Sequence, residues 1–406
     1  MEDYEVEVPQ YFICPISLQI MKDPVTIATG ITYDRESIEQ WLSADQNPSC
    51  PVTKQSLPKD FDLTPNHTLR RLIQAWCVTN AANGVDRIPT PKSPLSKIHI
   101  MKLLQDLRHP QLQVKALKRL SFLAAENERN RKCMIDSGIT KAMVSWIILC
   151  CKKNVLEGVH EALKILSLIR IQIAEINLLV YELFDSITWI LRSLKSSNEN
   201  SEIKTHALLV LKSVMELASS SLLDRLRPEF LEIIIRVLRE NISNQATKAA
   251  LQILLETCPW GRNKVKIIEA GAVFDLIELE LTSPDKRTTE LIFGILDHLC
   301  SCADGRAKFV SHAAAIPMVS KKIFRVSPVT DDRAVRILAS ICKFTATYDV
   351  LQEMLNVGAV AKLCMVLQAD SSTNVKEKAR DVLRVHNNSW SNSPCIHLYI
   401  LTRKVN

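Results

Sequence analysis

The sequence predicts a mainly α-helical chain in two parts: a small, loop-rich α+β domain, then a long helical solenoid. Three observations carry this. A small residue followed by an apolar one, with Leu four positions after the small residue, recurs about every 44 residues from residue 95 onward. Turn-forming dipeptides crowd the first 80 residues. Aromatics make up only 5% of the 406 residues and glycine only 9 of them, which disfavours a strand-rich sandwich or barrel. A chain of this length also exceeds one ordinary hydrophobic core.

The repeat is read from two marks. The first appears as Ala116-Leu117…Leu120, Ala162-Leu163…Leu166, Ala207-Leu208…Leu211 and Ala250-Leu251…Leu254. It continues more loosely as Ile292-Phe293…Leu296, Ala334-Val335…Leu338 and Ala379…Leu383, with spacings of 46, 45, 43, 42, 42 and 45 residues. The second mark is Ser137-Gly138, Ala270-Gly271 and Val357-Gly358, each after a polar stretch and before an apolar helix. Periods of about 40–47 residues belong to HEAT and armadillo solenoids, and the small-residue-then-Gly layout fits armadillo better. No unit buries its apolar face alone, so stacking makes one continuous core and a concave binding surface. The marked Ala and Leu residues are expected in that core.

The first 80 residues are punctuated by Cys14-Pro15, Asp23-Pro24, Thr29-Gly30, Asn47-Pro48, Cys50-Pro51 and Thr64-Pro65. Val25–Ala28 and Ile31–Tyr33 are expected as a strand pair around Thr29-Gly30. Asp34 can cap a helix from Arg35 to Ser43, and Asn66 a second from His67 to Thr79. On the second, Leu69, Leu72, Ile73 and Trp76 define a face expected to be buried. Residues 83–95 carry Pro89, Pro91 and Pro94 and read as an extended connector. The expected division is a domain over 8–82, a linker over 83–95, a solenoid over 96–386, and a cap or tail over 387–406.

Composition excludes several classes. The net charge of +7 is spread without a dense Lys/Arg block, which argues against nucleic acid as a partner. The N-terminus is acidic and lacks the layout of a secretory signal. The longest apolar stretches, such as Ala142–Cys151, are too short to span a bilayer. Most of the twelve cysteines sit in apolar helical contexts. They are expected as reduced thiols, placing the protein in the cytoplasm or nucleus.

The chemistry lies in two similar loops. A zinc RING cross-braces a small fold through C-x-x-C pairs. Here Cys14-Pro15-Ile16-Ser17 and Cys50-Pro51-Val52-Thr53 place Ser17 and Thr53 where second thiolates would stand. Before residue 92 the remaining candidate ligands are Cys77 and His67, so eight zinc ligands cannot be assembled. A network of polar side chains is expected in the metal's place, drawn from Ser17, Lys22, Asp23, Thr53, Lys54, Asn66 and Thr68. No cofactor is expected.

Residues 8 to about 80 resemble a U-box, the zinc-free relative of the RING. The matching text includes Tyr11-Phe12-Ile13-Cys14-Pro15-Ile16, Met21-Lys22-Asp23-Pro24-Val25, Thr29-Gly30-Ile31-Thr32-Tyr33-Asp34-Arg35, Trp41-Leu42, Cys50-Pro51-Val52-Thr53 and Leu63-Thr64-Pro65-Asn66-His67-Thr68-Leu69-Arg70-Arg71-Leu72-Ile73. With the repeats, the chain is similar to plant U-box/armadillo ubiquitin ligases, and most to the group linked with stress and immune signalling. The resemblance implies a ubiquitin-loaded conjugating enzyme as one partner and protein substrates on the armadillo groove as the other. It implies a shallow apolar docking groove at Ile16, Trp41 and Pro51, with Cys14 supporting the first loop from inside, and a ubiquitin-orienting cation at Lys54. Trp41 qualifies independently, because Ile38 and Leu42 can face the core and leave it at the edge of their stripe.

None of Cys14, Cys50 or Cys77 has the setting of a thioester nucleophile. The first two precede prolines with no neighbouring His, and the third lies beside Trp76. Ubiquitin is therefore expected to pass directly from the conjugating enzyme to a substrate lysine, with orientation and proximity as the catalytic device. The alternative is a non-catalytic armadillo adaptor. Cargo-carrier grooves pair Trp with Asn four residues on, whereas here Cys150 follows Trp146 and Ser193 follows Trp189. A homo-oligomer is compatible with the sequence.

Overall fold

A computed structural model describes residues 8–44, 49–58, 62–81, 95–169, 171, 179–194, 200–216, 220–391 and 394. The chain divides into two compact units, Met1–Pro94 and Leu95–Asn406. The proline-rich connector lies outside the described residues apart from Leu95, as does most of the stretch after Ser391.

In the first unit, strands β1 (Pro24–Thr26), β2 (Thr32–Asp34) and β3 (Thr64–Pro65) form an antiparallel sheet in the order β2-β1-β3. Gly30 makes the expected turn. It sits at φ +81°, where a Cβ is disfavoured, and its N–H donates to Ile27 O at 2.9 Å. The strands are displaced by a residue from the expected pair, and β3 was not anticipated. Two residues carry no alternation from which a strand can be read. Helix α1 spans Arg35–Ala44 and α2 spans His67–Thr79. The Asn66 side chain accepts from Leu69 N and caps α2 as expected.

The core of this unit gathers Phe12, Met21, Val25, Tyr33, Ile38, Ile73 and Cys77. Leu69 and Trp76 pack against it, but Leu72 is 51% exposed, contrary to expectation. The stripe of α2 is centred on Leu69, Ile73 and Cys77. Leu72 precedes Ile73 by one residue, a rotation of about 100°.

In the second unit the first sequence mark falls on seven helices of the described chain: Gln113–Glu126, Val159–Leu168, Ser201–Glu216, Asn244–Thr257, Lys286–Cys300, Pro328–Phe344 and Thr373–Val385. Each packs on the next, which makes a ladder of consecutive repeats. Ala116, at 3% exposure, is the least buried of the seven marked small or apolar residues. Small side chains at these points let neighbouring helices approach closely, and the Leu four residues on fills the space beside them.

Gly138, Gly271 and Gly358 have φ of +80°, +88° and +75°. Each ends one helix and begins the next, its N–H donating to the carbonyl three residues back. The second mark is thus a left-handed corner between packed helices.

Lys204 and Glu280, both buried in the stack, each have an oppositely charged partner. Glu280 is fully buried, bonded to Lys322 and, at 3.0 Å, to the Thr289 hydroxyl. Burial pushes its carboxyl above the usual range, while Lys322 and Thr289 pull it back. Beyond the seventh ladder helix, Trp390 is fully buried and donates from Nε1 to Leu383 O at 3.1 Å, so the described part of the C-terminal stretch closes the last repeat. No single described helix is long and apolar enough to cross a membrane. Lys322→Ala strands the Glu280 carboxylate and is expected to lower stability by about 3–5 kcal/mol, measured by urea unfolding of the full chain.

Candidate functional site

The two Cys-Pro loops have the same backbone. Cys14 N–H donates to Gln19 O at 2.8 Å, and Leu18 N–H to Cys14 O at 2.9 Å. Cys50 N–H donates to Gln55 O at 2.8 Å, and Lys54 N–H to Cys50 O at 2.9 Å. Each loop is closed by one antiparallel bridge, Ile13 with Ile20 and Ser49 with Ser56. Each puts the residue four after its cysteine in the left-handed region, Leu18 at φ +56° and Lys54 at φ +58°. Leu18 is 76% exposed and Val52 is 53% exposed, so each loop holds an apolar side chain to solvent.

At the centre of each loop is a buried sulfur that collects hydrogen bonds. Both cysteines have 0% exposure. Cys14 Sγ accepts from Asp34 N at 3.3 Å, and Ser17 bonds it through both backbone and side chain. Cys50 Sγ accepts from the Thr29 hydroxyl and from Thr53 N, both at 3.4 Å. Tyr33 links this sulfur to the loop: its hydroxyl lies 3.2 Å from Cys50 Sγ and accepts from Val52 N at 3.3 Å. Having accepted from Val52, that hydroxyl has its proton free for the sulfur.

Burial works to raise both thiols, and these donors outweigh it. Cys14 falls below its ordinary value, and Cys50 falls from 9.0 to about 6. Burial and the Cys50 contact push the Tyr33 hydroxyl up. Cys50 thus has thiolate character without access, which is the opposite of what a transfer nucleophile needs.

Charged groups tie the loops to the helices. Asp34 Oδ1 accepts Lys22 N at 2.7 Å and Asp23 N at 2.9 Å. Asp23 pairs with Arg35 on α1 at 2.6 Å and lies 3.8 Å from Arg70 on α2. Asn66 reaches across to the Thr32 hydroxyl at 3.4 Å. Of the expected network, Ser17, Thr53, Asp23 and Asn66 make such contacts. Lys22 enters through its backbone N–H instead of its side chain.

Trp41 is 38% exposed. Its Nε1 donates to Ser49 O at 3.0 Å, and the Lys54 ammonium lies 5.4 Å from its ring centroid. Ile38 is fully buried and Leu42 packs on the core, as the α1 stripe requires. Ile16 and Pro51 are half-buried, so both keep some open surface. Cys14 keeps none, so as a member of the docking set it can act only from beneath the loop.

Residues 8–82 match the U-box domain model, and residues 99–406 match the model of the plant U-box protein ARM repeat region. The chain is 45% identical to E3 ubiquitin-protein ligase PUB23 of Arabidopsis thaliana over 412 residues, covering 97% of this chain and 96% of that protein. It is 42% identical to E3 ubiquitin-protein ligase PUB22 of the same plant, covering 97% and 98%. The chain belongs to the plant U-box/armadillo-repeat family. Among solved structures, one from work on the interaction between cadherin and β-catenin is similar in fold. Its TM-score is 0.60 at 13% identity, covering 80% of this chain and 60% of that one. An engineered protein gives a TM-score of 0.52 at 19% identity, covering 71% and 68%.

Sequence reasoning on this U-box/armadillo chain did not find Tyr33, Thr29, Asp34, Arg35 or Arg70 as parts of the network. One signal for Tyr33 was available. It is the inward residue of a Thr-Tyr-Asp strand, and a buried tyrosine hydroxyl needs a partner. Tyr33→Phe is expected to lower the stability of the U-box by about 1–2 kcal/mol in thermal melts, because Val52 N–H and Cys50 lose one group that serves both. The folded thiol of Cys50 loses its proton near 6 and the unfolded one near 9.0, so its contribution to stability is absent below the first value and grows as pH rises to the second. Melts of wild type and Cys50→Ser across that window should show a steeper rise of stability with pH in wild type, the smaller rise left in the variant coming from other groups such as Cys14.

Proposed function

We propose that this chain is a U-box ubiquitin ligase that docks a ubiquitin-loaded conjugating enzyme on its two Cys-Pro loops and α1. It promotes direct transfer of ubiquitin to a lysine of a substrate held by the armadillo repeats. The observation that carries the docking assignment is the pair of matched loops, braced from beneath by buried sulfurs, with Ile16, Trp41 and Pro51 all keeping open surface. The ligases named among the relatives favour this reading over the non-catalytic adaptor.

The chemistry is positional. Both loop cysteines are buried, so neither is offered for a covalent intermediate. A rigid apolar platform can instead hold the thioester arm of the visiting enzyme in a reactive pose. Lys54 is the proposed orienting cation, a reading supported by its ammonium 5.4 Å from the Trp41 ring centroid, beside the proposed groove. Weak, brief docking suits an enzyme that must exchange a spent carrier for a loaded one. Substrate held on the repeats raises its effective concentration at the thioester.

A cytoplasmic location, with access to the nucleus, and a role in stress or immune signalling belong to the same proposal. None of the eleven described cysteines forms a disulfide, which supports a reducing compartment. A fluorescent fusion confined to the secretory pathway would remove the location, and a knockout with unaltered stress responses would remove the physiological role.

Purified protein mixed with activating enzyme, conjugating enzyme, ubiquitin and ATP is expected to ubiquitinate itself. Trp41→Ala should cost about 2 kcal/mol or more of docking energy, which is about 30-fold in affinity, and abolish this activity at low conjugating-enzyme concentration. A thermal melt close to wild type checks that the U-box remains folded. Full activity of the variant refutes the docking assignment.

A further inference from the structure

The first two sequence-marked ladder helices that follow Gln113–Glu126 bring together a cluster that the ligase function does not use. His160 lies on Val159–Leu168, and Glu202 and His206 lie on Ser201–Glu216. Their nearest ligand atoms all lie within 4.8 Å of one another. Glu202 and His206 are four apart, which puts both on one face of their helix. The facing helix supplies His160 from the preceding repeat.

The distances suit a small divalent ion. His160 Nε2 lies 3.6 Å from Glu202 Oε2, and His206 Nε2 lies 3.7 Å from Glu202 Oε1. In a tetrahedral zinc site with bonds of about 2.1 Å, ligand atoms stand about 3.4 Å apart. The two imidazoles approach different oxygens of Glu202 at distances within a few tenths of an ångström of that figure, and a bound ion would draw the three ligand atoms, which lie within 4.8 Å of one another, onto one centre. The two imidazole–carboxylate distances exceed normal hydrogen-bond lengths and fall within the range of ion pairs.

Two further features point the nitrogens inward. Ser167 Oγ lies 2.8 Å from both Lys164 O and His206 Nδ1. Its single proton goes to the carbonyl, which can only accept, so the serine oxygen accepts from Nδ1–H. That fixes the His206 tautomer with its lone pair on Nε2, toward His160 and Glu202. A hydrogen bond on the far nitrogen is the usual support of a metal-bound histidine. His160 Nε2, for its part, is buried and has no hydrogen-bond partner among the described residues. One group opposes a cation: the Lys164 ammonium lies 3.4 Å from Glu202 Oε1 and competes for the same carboxylate.

We propose that His160, Glu202 and His206 form a binding site for a zinc-class divalent ion, which cross-links two consecutive armadillo repeats. The set of two imidazoles and one carboxylate leaves a fourth position for water. Lys164 sets the affinity from outside by holding the carboxylate until the ion displaces it.

The test is titration of the EDTA-stripped full-length protein with Zn²⁺ against a chromophoric chelator. One equivalent should bind at this site and raise the melting temperature of the repeats. His160→Ala and His206→Ala should each weaken it by at least about tenfold, and Ser167→Ala by about tenfold through loss of the tautomer lock. Lys164→Met should tighten it several-fold, which adventitious binding would not do. The protein also carries free thiols, so Co²⁺ is added as a second probe. A nitrogen–oxygen site gives no thiolate-to-metal charge-transfer band. Should His206→Ala fail to fold, His160→Ala carries the test, because its Nε2 makes no hydrogen bond to lose. Absence of saturable uptake, affinity unchanged in His160→Ala, or a thiolate band for the bound Co²⁺ would overturn the proposal.

Discussion

The N-terminal unit depends on two buried sulfur atoms used as hydrogen-bond acceptors. A domain of this size has little core with which to hold long loops. In a RING the problem is met by metal coordination, where each thiolate shares a cation with its neighbours. Here the sulfur is kept and the cation is replaced by protons on surrounding donors. Ser17 and Thr53, at the positions of the absent second thiolates, hydrogen-bond the cysteine three residues before them. The geometry of C-x-x-C survives as Cys-x-x-Ser and Cys-x-x-Thr because both patterns bring the fourth residue back over the first. The depressed thiol values are the electrostatic signature of the same arrangement: donors crowd each sulfur and favour its charged form.

A sulfur hub alone would leave the loops free to pivot. Asp23 and Asp34 remove that freedom, one bridging to both helices and the other gripping the backbone that leads into β1. Charge-assisted contacts of this kind are directional, so they fix angle as well as distance. The outcome is a firm underside with half-buried Ile16 and Pro51 above it and Trp41 tied to the second loop through Ser49 O. Pre-organisation matters for a surface meant to bind briefly, since little ordering remains to be done at each encounter.

Much of this was legible in sequence, and the division between what was and what was not is physical. Period and punctuation act along the chain, so the helix from His67 to Thr79, its Asn66 cap, the Gly30 turn and the seven repeat marks could all be read. The loops could be read as polar braces because Ser17 and Thr53 occupy defined places in a known spacing. Tyr33, Arg35 and Arg70 could not be assigned, because their partners lie 17, 12 and 47 residues away and no local pattern selects them. Leu72 was misplaced because an apolar residue at the flank of a stripe looks the same in sequence as one inside it. Cys14 was expected to support the first loop from inside, and it is fully buried there. The cluster of His160, Glu202 and His206 escaped notice for the same reason as Tyr33, since a repeat separates its two halves.

The left-handed glycine corners and the alanine ladder have a bearing on how such a chain can change length. Each repeat meets its neighbours through the same kind of surface, so loss or gain of a whole unit leaves every remaining seam intact. A single residue inserted within a ladder helix does the reverse, turning everything beyond it by about 100° and swinging alanines out of register with the leucines they sit beside. Growth by whole modules is therefore cheap, and growth by single letters is confined to the connections between them.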